Sequence, residues 1–233
     1  MQIVILCGGH GSRLGQLSKN IPKSLLKVNG IPFMKYLIDS LIPFNPSSIH
    51  LCLGKFSEQI LTFLENENYD LPISFSIENE NNLLGTGGAL KHCLDYLNDN
   101  FIVQYGDTIL DLDYLDLYHY HLKEKKEMTL SILPKSLSNE TPNVLCCHDE
   151  SGDLKCIYDK NNLKNTGNFI DYGAIVFKKK VFMNDLPSKF DLSIIQSSLS
   201  QDAKSSFYVI NKKYIEIGSI NSFYKAAKEL KNV

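Results

Sequence analysis

Gly8-Gly9-His10-Gly11-Ser12-Arg13-Leu14 follows an apolar, β-branched run, and Arg13 is the only arginine among 24 basic side chains. Glycines allow the backbone to turn sharply and to approach a ligand closely. Successive N–H groups in such a loop form a nest for an anion. A guanidinium adds a rigid fork that meets two phosphate oxygens at once, which an ammonium cannot imitate. A chain that uses lysine wherever charge suffices has kept that geometry at Arg13; the plain alternative is a surface arginine beside a turn. The loop is neither of two familiar phosphate loops. GxxxxGK[ST] is absent, and GxGxxG counted from Gly9 fails because Leu14 stands at the third glycine.

A second segment follows at Asn20-Ile21-Pro22-Lys23-Ser24-Leu25-Leu26-Lys27-Val28-Asn29-Gly30-Ile31-Pro32. Together, GG-x-G-x-R-L and P-K-x-L-x-x-V-x-G-x-P resemble the signature of the sugar-1-phosphate nucleotidylyltransferases. Enzymes of that family transfer uridylyl, thymidylyl, cytidylyl or guanylyl groups to hexose or heptose 1-phosphates. The resemblance continues at Leu84-Gly85-Thr86-Gly87-Gly88-Ala89-Leu90, the segment that closes over the nucleoside in the family, and at the strand-like Phe101–Tyr105 followed by Gly106-Asp107. It ends in Tyr214-Ile215-Glu216-Ile217-Gly218-Ser219, where Glu216 replaces the usual aspartate.

The resemblance implies a role for each matching residue. Arg13 and Lys23 are the catalytic cations, with Lys23 on the α-phosphate or attacking oxygen and Arg13 on the leaving pyrophosphate. Leu6, Gly8, Gly9, Gly11, Ser12, Glu80, Gly85 and Thr86 hold the nucleotide, Glu80 standing where relatives read the base. Gly106, Asp159, Lys160 and Asp171 hold the acceptor, with Asp159-Lys160 in place of E-K and Asp171 in place of asparagine. Asp107 and Glu216 are the ligands for Mg²⁺. Joining an NTP to a phosphate monoester brings two polyanions together, and the attacking phosphate is already ionised. Positioning and neutralisation are therefore the protein's tasks, without a general base. The short chain and its loop most resemble heptose- or mannose-type guanylyltransferases of capsule or lipopolysaccharide pathways, so GTP is the expected donor. Two other readings stay open. Asp111-Leu112-Asp113 is a DxD that could hold the metal of a glycosyltransferase, and the departures at Glu216, Asp159 and Asp171 would suit an inactive nucleotide-sensing homologue.

These residues need elements to carry them. Apolar, β-rich runs at Gln2–Cys7, Ser48–Leu53, Ile73–Ile77 and Phe101–Tyr105 alternate with helical spacing at Phe33–Leu41, Ser57–Leu64 and Ala89–Leu97. Asp113 reads as the start of a helix over Tyr114–His121. Such alternation predicts parallel βαβ units covered on both faces. Strand-like runs then dominate: Met128–Leu133, Asn143–Cys147, Leu154–Tyr158, Phe169–Phe177 and Phe207–Ile210, before a helix from Ile220 to Leu230 capped by Ser219. The expected fold is a single Rossmann-like α/β/α domain with a mostly parallel sheet and an added β-rich substrate lobe. Its nucleotide-binding part covers about 1–125, its acceptor-binding part about 126–218 and its C-terminal helix 219–233.

Composition limits the partners. A net charge of -2 offers no basic field for nucleic acid or a membrane surface. No apolar stretch is long enough to span a bilayer, and the N-terminus lacks the pattern of a secretory signal, which points to the cytoplasm. The expected partners are an NTP and a sugar 1-phosphate, with a homodimer among the assemblies open to the chain. The six cysteines form no CxxC pair and read as free thiols of a cytosolic protein. His119-Tyr120-His121 diverges on either a strand or a helix and lacks a third ligand for a metal.

Overall fold

β1 (Gln2–Leu6) shows why the centre of the molecule is a parallel sheet: Ile3, Val4 and Ile5 are all fully buried. A strand apolar on both faces needs cover on both sides. Val4 belongs to one apolar cluster with Leu90, Cys93, Ile195 and Leu199, while Ile3 and Ile5 belong to another with Met34, Leu37 and Leu117. The computed structural model describes residues 1–9, 12–150, 152, 154–161 and 166–232.

After β1 come a short hairpin, β2 (Lys27–Val28) and β3 (Ile31–Pro32), then α1 (Phe33–Leu41). Helix α1 buries Phe33, Met34, Leu37, Ile38 and Leu41, one stripe at helical spacing. The chain continues through β4 (Ser48–Leu53), α2 (Ser57–Asn66), β5 (Ile73–Ile77), α3 (Gly85–His92), β6 (Asn100–Tyr105), β7 (Thr108–Leu110) and α4 (Tyr114–Glu124). The second half holds β8 (Met128–Pro134), β9 (Val144–His148), β10 (Leu154–Tyr158), β11 (Phe169–Lys178), α5 (Ser193–Gln201), β12 (Ser205–Val209), β13 (Tyr214–Glu216) and α6 (Ile220–Glu229).

The main sheet runs β10-β9-β11-β6-β1-β4-β5, with β8 on β11 and β12 on β8. One side of it, β6-β1-β4-β5, is parallel. The ten-residue β11 lies antiparallel to β6, β8 and β9, so the later strands extend the same sheet. Strand order reverses at β1, between β4 on one side and β6 on the other. Open α/β sheets bind ligands at the carboxyl ends beside such a reversal.

Three expectations need correction. Helical structure after residue 84 starts at Gly85, inside the glycine segment, and ends at His92; a separate turn covers Leu94–Tyr96. Helix α5 was not foreseen. The cysteines are not all free: Cys146 and Cys156 stand opposite each other across the β9–β10 ladder and form a disulfide, while Cys7, Cys52, Cys93 and Cys147 are free. Direct opposition in an antiparallel pair brings two β-carbons within bridging reach. The Ser219 cap is as expected, as a reciprocal capping box with Ser222.

Candidate active site

A cleft of about 610 Å³ opens at the carboxyl ends of β1, β5 and β6. Leu6, Gly8, Gly9 and Arg13 reach it from the end of β1 and the turn beyond. Gly106, just after β6, donates its N–H to Leu6 O at 3.0 Å, and a side chain there would strike the Cys7 sulfur. The two strand ends are thus locked side by side. The volume that a side chain at Gly9 would occupy is open, leaving backbone exposed to a ligand.

Lys23 lies on a tight turn entered through Pro22, and its ammonium is ion-paired to the Asp107 carboxylate. The other Asp107 oxygen accepts from the Thr108 hydroxyl at 3.1 Å. Glu216, from the far end of the chain, comes up beside this strand end without lining the cleft itself. β13 pairs antiparallel with β7, putting Glu216 opposite Thr108, and the Ile217 N–H donates to Asp107 O at 3.0 Å. The Glu216 carboxylate folds over Gly218, a cleft residue, beside the Arg13 guanidinium.

Gly85 and Thr86 line the opposite wall, but the glycine segment also has a packing duty. The N–H groups of Gly87 and Gly88 both donate to Phe190 O, at 3.0 and 3.2 Å. A side chain at Gly87 would run into the Phe190 ring, and one at Gly85, where φ is +76°, into the Phe190 carbonyl. Thr86 Oγ1 accepts the Leu192 N–H at 2.8 Å. The helix start is therefore clamped to the 188–192 strap while presenting its first residues to the cleft.

Glu80 lines the cleft and is exposed. Its neighbour Glu78, not singled out by the sequence, is buried and accepts the Leu84 N–H at 2.6 Å, and burial raises its carboxyl above the ordinary range. A buried carboxylate immediately past a parallel strand, holding the loop that follows, braces that loop. Lys189 on the strap also reaches the cleft, and its position in irregular chain gave no signal.

The expected acceptor residues gather beyond Tyr105, itself a cleft residue. Burial, then the Asp171, Asp191 and Asp107 carboxylates, push the Tyr105 hydroxyl well above its usual value. Lys160 is ion-paired with Asp191 at 3.4 Å, and both are exposed. Asp171 accepts from Gln196 Nε2 at 2.8 Å and from the Gly173 N–H at 2.9 Å, and burial raises its carboxyl to about 6. Asp159 takes the Asn161 N–H at 2.9 Å. Gly106 lines the main cleft, whereas Asp159, Lys160 and Asp171 are not among its lining residues. Gly11 falls outside the described residues, and Ser12 is described only as backbone at the start of the turn.

The nucleotidyl transferase family model matches residues 2–233. The chain belongs to the nucleotidyl transferase family. It is 29% identical to D-glycero-alpha-D-manno-heptose 1-phosphate guanylyltransferase of Campylobacter jejuni, covering 96% of this chain and 97% of that protein. The enzyme of the same name from Aneurinibacillus thermoaerophilus is 28% identical over 100% and 99% of the two chains. Among solved structures, HddC from Yersinia pseudotuberculosis, complexed with GMP-PN, superposes with a TM-score of 0.77 at 26% identity over 99% of each chain. A putative glucose-1-phosphate thymidylyltransferase from Bacillus anthracis shares the fold, with a TM-score of 0.82 at 18% identity. The family resemblance carried by Arg13 and Pro22-Lys23 is borne out.

Within this nucleotidyl transferase the DxD has other work. Asp111 is ion-paired with Lys212 at 2.7 Å, and Asp113 caps α4 by accepting the Asp116 N–H at 3.0 Å. Neither reaches the cleft. The histidines also part as expected: His119 is exposed, while His121 is buried against Thr129 at 2.8 Å. Asp107 and Glu216 offer carboxylate oxygens, the donors a hard divalent cation takes. The β7–β13 ladder sets Glu216 opposite Thr108, the neighbour of Asp107; Asp107 lines the cleft, whereas Glu216 lines a second cavity with Lys213 and Tyr214. No helix among the described residues is long and apolar enough to cross a membrane.

Proposed function

We propose that this nucleotidyl transferase moves a guanylyl group from GTP to a sugar 1-phosphate of the heptose or mannose type. Pyrophosphate leaves, and the product is a nucleotide-sugar for surface polysaccharide. The observation that carries the reading is the placement of Arg13, Lys23 and Asp107 on one cleft, together with the names of the two full-length relatives.

The reaction joins two anions, so the chain's work is charge and position. Arg13 and the open backbone at Gly9 face the β- and γ-phosphates. Lys23 meets the α-phosphate, and its ammonium offsets the charge that develops as the acceptor oxygen attacks. Gly85 and Thr86 set the nucleoside, and Glu80 takes N–H donors from the guanine edge. Lys160, with Asp159 and Asp171 beside it, orients the acceptor from beyond Tyr105. Mg²⁺ held by Asp107 and Glu216 would supply electrostatic neutralisation of the phosphates. The chain then divides into a nucleotide part over about 1–125, an acceptor part over about 126–218 and the closing helix at 219–233. A homodimer and a cytoplasmic location belong to the same reading. Disulfides are rare in that compartment, so thiol trapping in intact cells checks the state of Cys146 and Cys156.

The test is pyrophosphate release with Mg²⁺, four NTPs and a panel of sugar 1-phosphates. Release that requires GTP with a heptose or mannose 1-phosphate is expected. Release with a different base or sugar would move the assignment within the family, and none with any pair would leave a nucleotide-sensing homologue.

A further inference from the structure

Nucleotidyl transfer makes no use of His50, Cys52 and Cys93, a group buried under the nucleotide wall. β4 presents His50 and Cys52 two residues apart, and therefore on one face. β5 sets Ser74 and Ser76 beside them in register. Cys93, at the end of α3, closes over that face. The three are 0%, 1% and 0% exposed, and their ligand atoms all lie within 4.8 Å of one another.

We propose that His50, Cys52 and Cys93 form a zinc site that ties α3 to the sheet. The two sulfurs are 3.7 Å apart. Tetrahedral zinc with Zn–S bonds of about 2.3 Å separates two thiolates by about 3.7–3.8 Å. His50 Nδ1 is 2.8 Å from the Ser74 hydroxyl, the outer contact that fixes a ligating imidazole, leaving Nε2 as donor to the metal. The Ser76 oxygen, 3.2 Å from Nε2, stands where a fourth donor belongs. Charge decides for a dication. Two thiolates and a neutral imidazole around Zn²⁺ sum to zero, whereas a monovalent ion would leave a buried negative charge. Binding replaces two S–H protons, which leave to solvent, with two Zn–S bonds. Cys52 also lines the nucleotide cleft, which gives the ion an entry path.

Cobalt(II) is the probe, added to the metal-free, reduced full chain. One tightly held cobalt per chain with thiolate-to-cobalt charge-transfer absorption is expected, displaced by Zn²⁺. Cys52→Ser and Cys93→Ser should each abolish the band, while Cys147→Ser and Asp107→Asn keep it. Cobalt at the Asp107 and Glu216 carboxylates would lack thiolate absorption, so the two sites are distinguishable without any activity. A folded wild type that shows no such band overturns the proposal, whether or not the serine variants fold. So does a band that persists in both.

Discussion

The Lys23 ammonium is ion-paired to the Asp107 carboxylate across 84 positions of sequence, joining the turn after β1 to the end of β6. Each is largely shielded, at 13% and 28% side-chain exposure. In the free cleft each answers the other's charge, and removing one leaves its partner uncompensated. A phosphate entering the cleft gives Lys23 a second anion to share.

The pair should behave as a unit. Lys23→Met and Asp107→Asn are each expected to lower the rate of pyrophosphate release about 10²–10³-fold. The double variant should lose far less than the product of the two, because both act on the same phosphates. Steady-state rates of the three variants check this, and full additivity would separate the two roles.

Arg13 is exposed and its turn makes few demands on its side chain. Arg13→Lys should therefore unfold at the wild-type temperature while turnover falls about 10²–10³-fold, since the charge stays and the fork is lost. A variant with undiminished turnover would remove Arg13 from the mechanism.

Glu78 and Glu80 should part in their effects. Glu80→Ala is expected to raise KM for GTP by about tenfold or more with kcat little changed, in line with ~1–3 kcal/mol for a bidentate base contact. Glu78→Ala should instead lower the melting temperature, because the partly buried Leu84 N–H loses its acceptor. If Glu80→Ala leaves KM for every NTP untouched, the guanine edge is read elsewhere.

His121 should set part of the acid limb of stability. Burial depresses it to about 4, below the ordinary ~6.5 of an unfolded chain. Between those values the unfolded state binds more protons, so stability falls as pH drops through that window. Asp171 acts oppositely: raised to about 6 by burial, its folded form binds more protons between about 4 and 6, and it costs stability as pH rises. His121→Gln should narrow the wild type's loss between pH 7 and pH 4.5 by about 2–3 kcal/mol. Denaturant midpoints at the two pH values read the difference; equal losses would contradict it.

β1 was legible because Ile3-Val4-Ile5-Leu6 is a continuous apolar run, and α1 because its five buried residues repeat at helical spacing. Arg13, Lys23, Asp107 and Gly85 were legible as motif residues, and the cleft gathers all four. Other features depend on partners that no local pattern names. Helix α5 is Ser-Ile-Ile-Gln-Ser-Ser-Leu-Ser-Gln, whose polar Gln196 and Ser200 are buried alongside Ile195 and Leu199, blurring its stripe. β7 and β13 have three residues each and, among the described residues, pair with one another in a two-stranded sheet. Glu78 looked like any residue of an acidic loop until its distance to Leu84 was known. Adjacent Cys146 and Cys147 likewise could not reveal which thiol meets Cys156 before the β9–β10 register did.

The β7–β13 ladder has a consequence for synthesis. A growing polypeptide that has left the ribosome only as far as β12 already possesses the loop of Arg13, the lysine and the aspartate. It still lacks Glu216 and the Gly218 floor. The cleft would then be completed late, when the final fragment of the chain docks against its midpoint.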